Sequence, residues 1–188
     1  MSYQCFETAF GYCAIAWSDI GLTRVVIAEP SRARIERRME ALGEHLTTDP
    51  LPKFAAQAMD DLVAYFMGAP LAHETQPLDW SQQSSFRTAI YKELLRVPRG
   101  ATISYGALAA KAGRPSAARA VGVAMGENPW PILVPCHRVL ASDGDVGGFS
   151  AAGGIKTKRK LLRIEGVEFP SPVIHDLFDS MAGDDYEL

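Results

Sequence analysis

The run Ser104-Tyr105-Gly106-Ala107-Leu108-Ala109-Ala110-Lys111-Ala112-Gly113-Arg114-Pro115-Ser116-Ala117-Ala118-Arg119-Ala120-Val121-Gly122-Val123-Ala124-Met125 decides how the middle of this 188-residue chain folds. Ser104 precedes a stretch of good helix formers, and its hydroxyl is of the kind that accepts the free amide protons of a first turn, so a short helix is expected through Lys111. Gly113-Arg114-Pro115 then breaks the chain direction, and Ser116 stands where it would cap a second helix to about Met125. Two short helices joined by a tight glycine-containing turn make a helix-turn-helix. At helical spacing Arg119, Gly122 and Gly126 share one face of the second helix, while Ala117, Val121 and Ala124 share another. The second face is expected to pack inward, which leaves a smooth small-residue surface with Arg119 standing out of it. A surface of that kind suits close approach to a nucleic-acid backbone or narrow groove with little base reading. Ala and Gly can equally serve tight helix packing, with Arg119 an ordinary surface charge, and the helix alone does not decide between the two.

Working outward, Phe86, Ile90, Leu94 and Val97 recur at helical spacing, and Pro98-Arg99-Gly100 ends the helix they imply. Residues 80–85 are polar and read as a linker, with Ser84 or Ser85 capping that helix. Nearer the start, apolar runs at 12–17 and 22–28 flank Ser18-Asp19-Ile20-Gly21, the pattern of a β-hairpin. Ser31 is placed to cap a charged helix to about Leu42, residues 51–66 form a second amphipathic helix ended by Gly68 and Pro70, and a strand is expected near 71–78. The chain therefore divides into a small α/β N-terminal domain over 1–81, a mostly α, winged-helix-like domain carrying the helix-turn-helix over 82–169, and a tail over 170–188.

The formal net charge of −3 is a sum of unlike parts. Lys plus Arg number 6 against 11 Asp plus Glu in 1–81, 13 against 6 in 82–169, and 0 against 5 in 170–188. A basic block between acidic ones points to a polyanion-facing surface confined to 82–169. Apolar residues at 47% and charged residues at 22% exclude wholesale disorder and a coiled coil. No stretch is apolar for the length of a membrane span and the start lacks a signal-peptide pattern, so a cytoplasmic protein with no membrane partner is expected. Three cysteines, Cys5, Cys13 and Cys136, cannot all pair, and a chain this long needs no disulfide staples, so reduced thiols are expected.

Of the three, Cys136 has informative neighbours. In Asn128-Pro129-Trp130-Pro131-Ile132-Leu133-Val134-Pro135-Cys136-His137-Arg138-Val139, three prolines bracket an aliphatic run, which reads as an extended segment delivering Cys136 at the end of a buried strand. His137 and Arg138 would be poor core residues, and an imidazole near a thiol supplies the base that makes a thiolate. A zinc nucleobase deaminase is excluded, because position 139 is Val where a second cysteine is needed and no His-x-Glu occurs. Zinc held by Cys5, Cys13, His45 and His73 matches no compact ligand spacing. Downstream, Gly144, Gly147, Gly148, Gly153 and Gly154 crowd around Phe149-Ser150, which fits no phosphate-binding loop and reads either as a plain flexible loop or as a mobile wall over a ligand pocket. Lys156, Lys158, Arg159 and Lys160 open a helix as an at least partly solvated face, and Glu165 near its end is either surface charge or a group that orients His137.

Taken together, Pro135-Cys136-His137-Arg138-Val139, Ile103-Ser104-Tyr105-Gly106, Ala117-Ala118-Arg119-Ala120-Val121-Gly122 and Asn128-Pro129 occur in the order that resembles the O6-alkylguanine-DNA alkyltransferases, closely over 86–169 and only in layout over 1–80. The resemblance implies that double-stranded DNA containing O6-alkylguanine is bound by a monomer, that the damaged base is flipped out, and that Cys136 takes the alkyl group irreversibly, with no cofactor or metal; O4-alkylthymine is the second substrate such a site could accept. It makes His137 the base for Cys136 through a water, with Glu165 orienting His137, Asn128 as a hinge and Tyr105 assisting flipping and donating to the guanine ring. It assigns DNA binding to Arg119, which fills the gap left by the flipped base, with Tyr105, Ala117, Ala118 and Gly122 beside it. Val139 and Cys136 carbonyls would meet the exocyclic amine, Ser150 would donate to O6, and Phe149, Pro131 and Trp130 would line the substrate site. Phe149 stands where many members have Tyr, Glu127 adds a negative charge beside the DNA-binding helix, and the acidic tail lies outside the common pattern.

Overall fold

A computed structural model describes residues 1–71 and 76–169. Strands β1 (Ser2–Thr8), β2 (Gly11–Trp17) and β3 (Leu22–Glu29) form an antiparallel meander, and the two-residue β4 (His45–Leu46) pairs parallel with β1, giving the order β3-β2-β1-β4. The hairpin expected from the Ser18–Gly21 turn is β2–β3, closed by the Ser18 amide donating to the Gly21 carbonyl. β2 is apolar at consecutive positions because both faces of the sheet are covered. Ala14 and Ala16 face helix α1 (Arg32–Ala41), which buries only Ile35 and Met39, one turn apart. Cys13 and Ile15 face the other way, onto Ala55, Ala58, Leu62 and Tyr65 of helix α2 (Lys53–Phe66). Ser31 caps α1 as expected, accepting the Arg34 amide proton at 3.3 Å. Of the strand expected near 71–78, residues 72–75 lie outside the described residues, and Leu78 makes a single parallel bridge to Leu22.

The segment read as a polar linker is exposed over most of its length and is anchored at its start by Trp80 and by Asp79 just before it. Asp79 is buried, accepting from the Ser18 hydroxyl at 2.6 Å and the Ser81 amide, and Trp80 lies against Trp130 with ring centroids 4.9 Å apart. Helix α3 (Ser85–Leu94), capped by Ser84, leads to β5 (Ile103–Ser104), then α4 (Tyr105–Lys111), a turn, and α5 (Ala118–Gly126). Ser104 caps α4 through the Ala107 amide at 3.1 Å, whereas α5 starts after Ala117 with no side-chain cap, so the capping role expected of Ser116 is not taken. Val121, Ala124 and Met125 form the buried face of α5 and Arg119 is exposed. The short parallel pair of β5 with β6 (Val139–Leu140) and helix α6 (Gly154–Ile164) complete the fold. Gly153 starts α6 at φ 78°, where a side chain would be strained and its Cβ would sit 2.4 Å from the Thr157 hydroxyl.

One apolar cluster unites these parts, running from Cys13 and Leu62 through Leu94, Val121 and Trp130 to Leu161. Backbone bonds stitch β3 to the chain just before Cys136: Val25 donates to the Pro129 carbonyl at 2.7 Å, and the Trp130 indole donates to the Leu22 carbonyl at 2.8 Å. The sheet is thereby the platform on which the cysteine segment rests.

Candidate active site

The segment before Cys136 is not the extended strand that its prolines imply. Pro131 and Val134 bridge one another across a tight turn in which Ile132 takes φ 74°, and Cys136–Arg138 forms a single 3₁₀ turn. Asn128 holds the turn closed, its amide donating to the Val134 carbonyl at 2.8 Å and its side-chain oxygen accepting the Trp130 amide proton at 3.0 Å. An asparagine following α5 thus fixes the loop that presents the cysteine.

His137 and Arg138 are core residues after all, 0% and 1% exposed, because Glu165 satisfies both. His137 Nε2 lies 2.9 Å from Glu165 Oε1, and Arg138 donates to both carboxylate oxygens at 2.7 and 2.8 Å and to the Val97 carbonyl at 2.6 Å. Tyr65, from α2, donates its hydroxyl to Glu165 Oε1 at 2.8 Å and lies 3.3 Å from His137 Nε2. Burial would raise the Glu165 pKa, but hydrogen bonds from His137 and Arg138 outweigh it and hold the carboxyl well below the usual range. An ionised carboxylate only accepts, so Nε2 carries the imidazole proton and Nδ1 keeps its lone pair. Burial pushes the His137 pKa down, against Glu165 and with the neighbouring Arg138 and Lys158 charges, which leaves a neutral imidazole at neutral pH. Nδ1 is buried and has no hydrogen-bond partner among the described residues.

Cys136 is 4% exposed, and burial pushes its thiol pKa up, with Asn128 and the Lys158 charge pulling the other way. It borders two cavities. One, of about 410 Å³, is lined by Tyr105, Gly122, Met125, Gly126, Gly148, Phe149 and Ser150. The other, of about 230 Å³, opens toward Arg24 and Arg38 of the N-terminal part and includes Asn128, Pro131, Phe149 and Ser150. The α5 face that carries Gly122 and Gly126 is therefore a wall of the cavity leading to the thiol, and burial raises the Tyr105 pKa there, with Cys136 adding to it. Ala117 and Ala118 are half-buried at the start of α5.

Of the residues assigned to the substrate site, Trp130 sits elsewhere. Trp130 is 0% exposed, packed with Trp80 and Tyr91, and borders neither cavity. Val139 is also fully buried, and its carbonyl already accepts from Lys158 Nζ at 2.7 Å. Of the cations read as an at least partly solvated face, Lys156 and Lys160 are exposed, but Lys158 is not: it is 1% exposed, donates further to the Val146 carbonyl at 2.5 Å and to the Gly148 carbonyl at 3.4 Å, and burial lowers its pKa to about 8. It secures the loop ahead of Phe149-Ser150 from beneath. Glu127 is paired with Arg87, so its charge beside α5 is offset. Cys5 and Cys13 fall on opposite faces of the sheet, which separates two ligands of the zinc set considered above; His73 lies outside the described residues. The residues 170–188 also lie outside them, and no helix among the described residues is long and apolar enough to cross a membrane.

Residues 85–167 match the family model of the 6-O-methylguanine DNA methyltransferase DNA-binding domain. With a buried thiol at its centre and a neutral histidine following it, the chain is of a class that sets cysteine chemistry within a DNA-binding domain. A methylated-DNA-protein-cysteine methyltransferase of Mycobacterium tuberculosis is 41% identical over 177 residues, covering 94% of this chain and 98% of the relative. One from Mus musculus is 46% identical over 180 residues, covering 92% and 84%. The crystal structure of Mycobacterium tuberculosis OGT in complex with DNA matches with TM-score 0.70 at 37% identity, covering 88% of this chain and 93% of that one. That of the Pyrococcus kodakaraensis O6-methylguanine-DNA methyltransferase gives 0.63 at 30% identity, covering 88% and 99%. This chain belongs to the methylated-DNA-protein-cysteine methyltransferase family.

Proposed function

We infer that this protein repairs alkylated DNA by moving the alkyl group from O6 of guanine onto its own Cys136, each molecule acting once. The observation that carries the reading is Cys136 at the floor of a cavity walled by α5, with a buried neutral His137 beside it in the chain and held by Glu165. In the step, Cys136 gives its proton, through a water, to the His137 base and Sγ attacks the alkyl carbon. The carbon–oxygen bond breaks, its electron pair stays with the guanine, and a carbon–sulfur bond forms. The leaving group needs a donor, a role assigned to Tyr105, with Ser150 toward O6. A thiol kept protonated by burial reacts only when the base is in place, which suits the neutral, lone-pair-bearing Nδ1 of His137.

Double-stranded DNA is the proposed substrate carrier, met by α4 and α5 as a helix-turn-helix in a winged-helix-like C-terminal domain (82–169), with an α/β N-terminal domain (1–81) behind it. Arg119, exposed on α5, takes the place of the flipped base, and Ala117, Ala118 and Gly122 allow close approach. Asn128 fixes the cysteine loop, Pro131 and Phe149 bound the alkyl group, and the protein acts as a cytoplasmic monomer. Incubation with O6-methylguanine duplex should raise the intact mass by one methyl group, and Cys136→Ser should show no gain. A parent protein whose mass stays constant would overturn the reading.

A further inference from the structure

We propose that Tyr65, a residue of the N-terminal α2 helix, is a positioning residue for alkyl transfer, orienting Glu165 and through it the proton-accepting edge of His137. The proposal rests on the alkyl-transfer reading above. Tyr65 is 0% exposed, and its hydroxyl reaches 100 residues along the chain to donate to Glu165 Oε1 at 2.8 Å. The same oxygen receives the His137 Nε2 proton at 2.9 Å, so tyrosine and imidazole converge on one acceptor. Arg138 clamps both oxygens of the carboxylate and shares Oε1 with the imidazole and the tyrosine. The tyrosine donor fixes how Oε1 divides its acceptor capacity among these groups, and with it the ring orientation that leaves Nδ1 unpaired on the other side.

Arg99 keeps Tyr65 in register with Glu165. Its guanidinium donates to the Gly68 and Ala69 carbonyls just past α2 and to the Ile164 carbonyl at the end of α6, one residue before Glu165, and it lies 5.7 Å from the centroid of the Tyr65 ring. The ends of two helices from the two halves of the chain are thereby tied together where Tyr65 and Glu165 meet. Phe66, next in sequence, meets the core demand with a plain ring, so the hydroxyl at 65 is an addition that apolar packing does not require.

The charged and titratable groups around the His137 ring are Glu165, Arg138, Lys158, Cys136 and Tyr65, and those around Tyr65 are Glu165, His137, Arg138 and Arg99. Removing the tyrosine donor leaves Glu165 with more of its charge directed at the imidazole. That stabilises imidazolium, raises the His137 pKa and moves the acid limb of the reaction upward in pH.

The test is Tyr65→Phe, which keeps the ring and its packing, assayed with free O6-methylguanine base so that DNA binding plays no part. Single-turnover alkyl transfer to Cys136 is followed by intact mass across pH, beside ¹⁵N spectra of the His137 ring and a melting curve. The expected result is a rate about tenfold lower at neutral pH, the scale of one hydrogen bond to a charged group, with the acid limb shifted to higher pH and the ring-nitrogen shifts altered. A folded variant with parental rate and profile would overturn the proposal. So would a slower rate with an unmoved profile and unmoved ring shifts, which is the signature of packing alone. Failure of the underlying reading shows separately, as a parent protein that takes up no alkyl group.

Discussion

Arg138→Met is the sharpest test of the buried network. Arg138 is 1% exposed and donates to Glu165 Oε2 at 2.7 Å, Glu165 Oε1 at 2.8 Å and the Val97 carbonyl at 2.6 Å. Methionine fills much of the same volume with no donors, so the change leaves a carboxylate in the core with only His137 and Tyr65, and the Val97 carbonyl loses its guanidinium. Removing one member of a buried ion pair costs about 3–5 kcal/mol, most of it the charge left behind. Set against a total stability of about 5–15 kcal/mol, that is a large share. In a chain of this size each kcal/mol lowers Tm by roughly 2–4 °C, so a fall of about 6–20 °C is expected. Urea and thermal unfolding at neutral pH measure it, together with Glu165→Gln and the double variant. Because each single change strands the other partner, the double variant should lose clearly less than the sum of the two. A loss under about 1 kcal/mol, the scale of an exposed pair, would refute the reasoning, as would two losses that simply add.

The acid dependence follows from the same carboxylate. Glu165 has its pKa depressed in the folded protein, so its contribution is present above the ordinary carboxylate range and is lost as pH falls through the folded value. The stability gap between the parent and Glu165→Gln should therefore narrow on acidification in unfolding measurements across pH, and a constant gap would count against it. Arg119→Ala, at an exposed position on α5, should slow repair of duplex DNA far more than reaction with free O6-alkylguanine base; equal losses in single-turnover assays would remove its proposed role in flipping.

Where local signals dominate, the sequence foretells the structure: the Ser18–Gly21 turn, the Ser31, Ser84 and Ser104 caps, and the inward Val121–Ala124 face of α5 all follow from short-range chemistry. Long-range satisfaction is what local patterns do not carry. His137 and Arg138 look too polar for a core until Glu165, 28 and 27 residues away, is brought to them. Tyr65 reads as one more apolar position of an amphipathic helix, and nothing near it announces a partner 100 residues downstream. Lys158 did leave a trace: Lys158, Leu161, Leu162 and Glu165 stand at helical spacing, so the buried face of α6 runs directly through a lysine and a glutamate. A charged residue on an apolar stripe is a reason to look for buried partners. Ile132 at φ 74° lets the proline-bracketed segment turn where its prolines imply extension, and Asn128 fixes the turn from outside it.

The same burial revises how the charge of the middle block is to be used. Of its 13 basic residues, Arg138 and Lys158 are inside the protein, holding Glu165 and the loop carbonyls, and neither can approach a phosphate. Arg87 is engaged by Glu127, Arg96 by Glu93, and Arg99 by three carbonyls. Around α4 and α5 the exposed cations are Lys111, Arg114 and Arg119. The segment charge therefore overstates the electrostatic grip on DNA, because part of it is spent on building the site that reacts. If α4 and α5 form the interface, as proposed, binding through these three cations should show a shallow salt dependence. On the proposed function, selectivity for damage comes from the cavity that Tyr105, Gly122 and Phe149 wall off beside Cys136, which a base would reach only on leaving the stack.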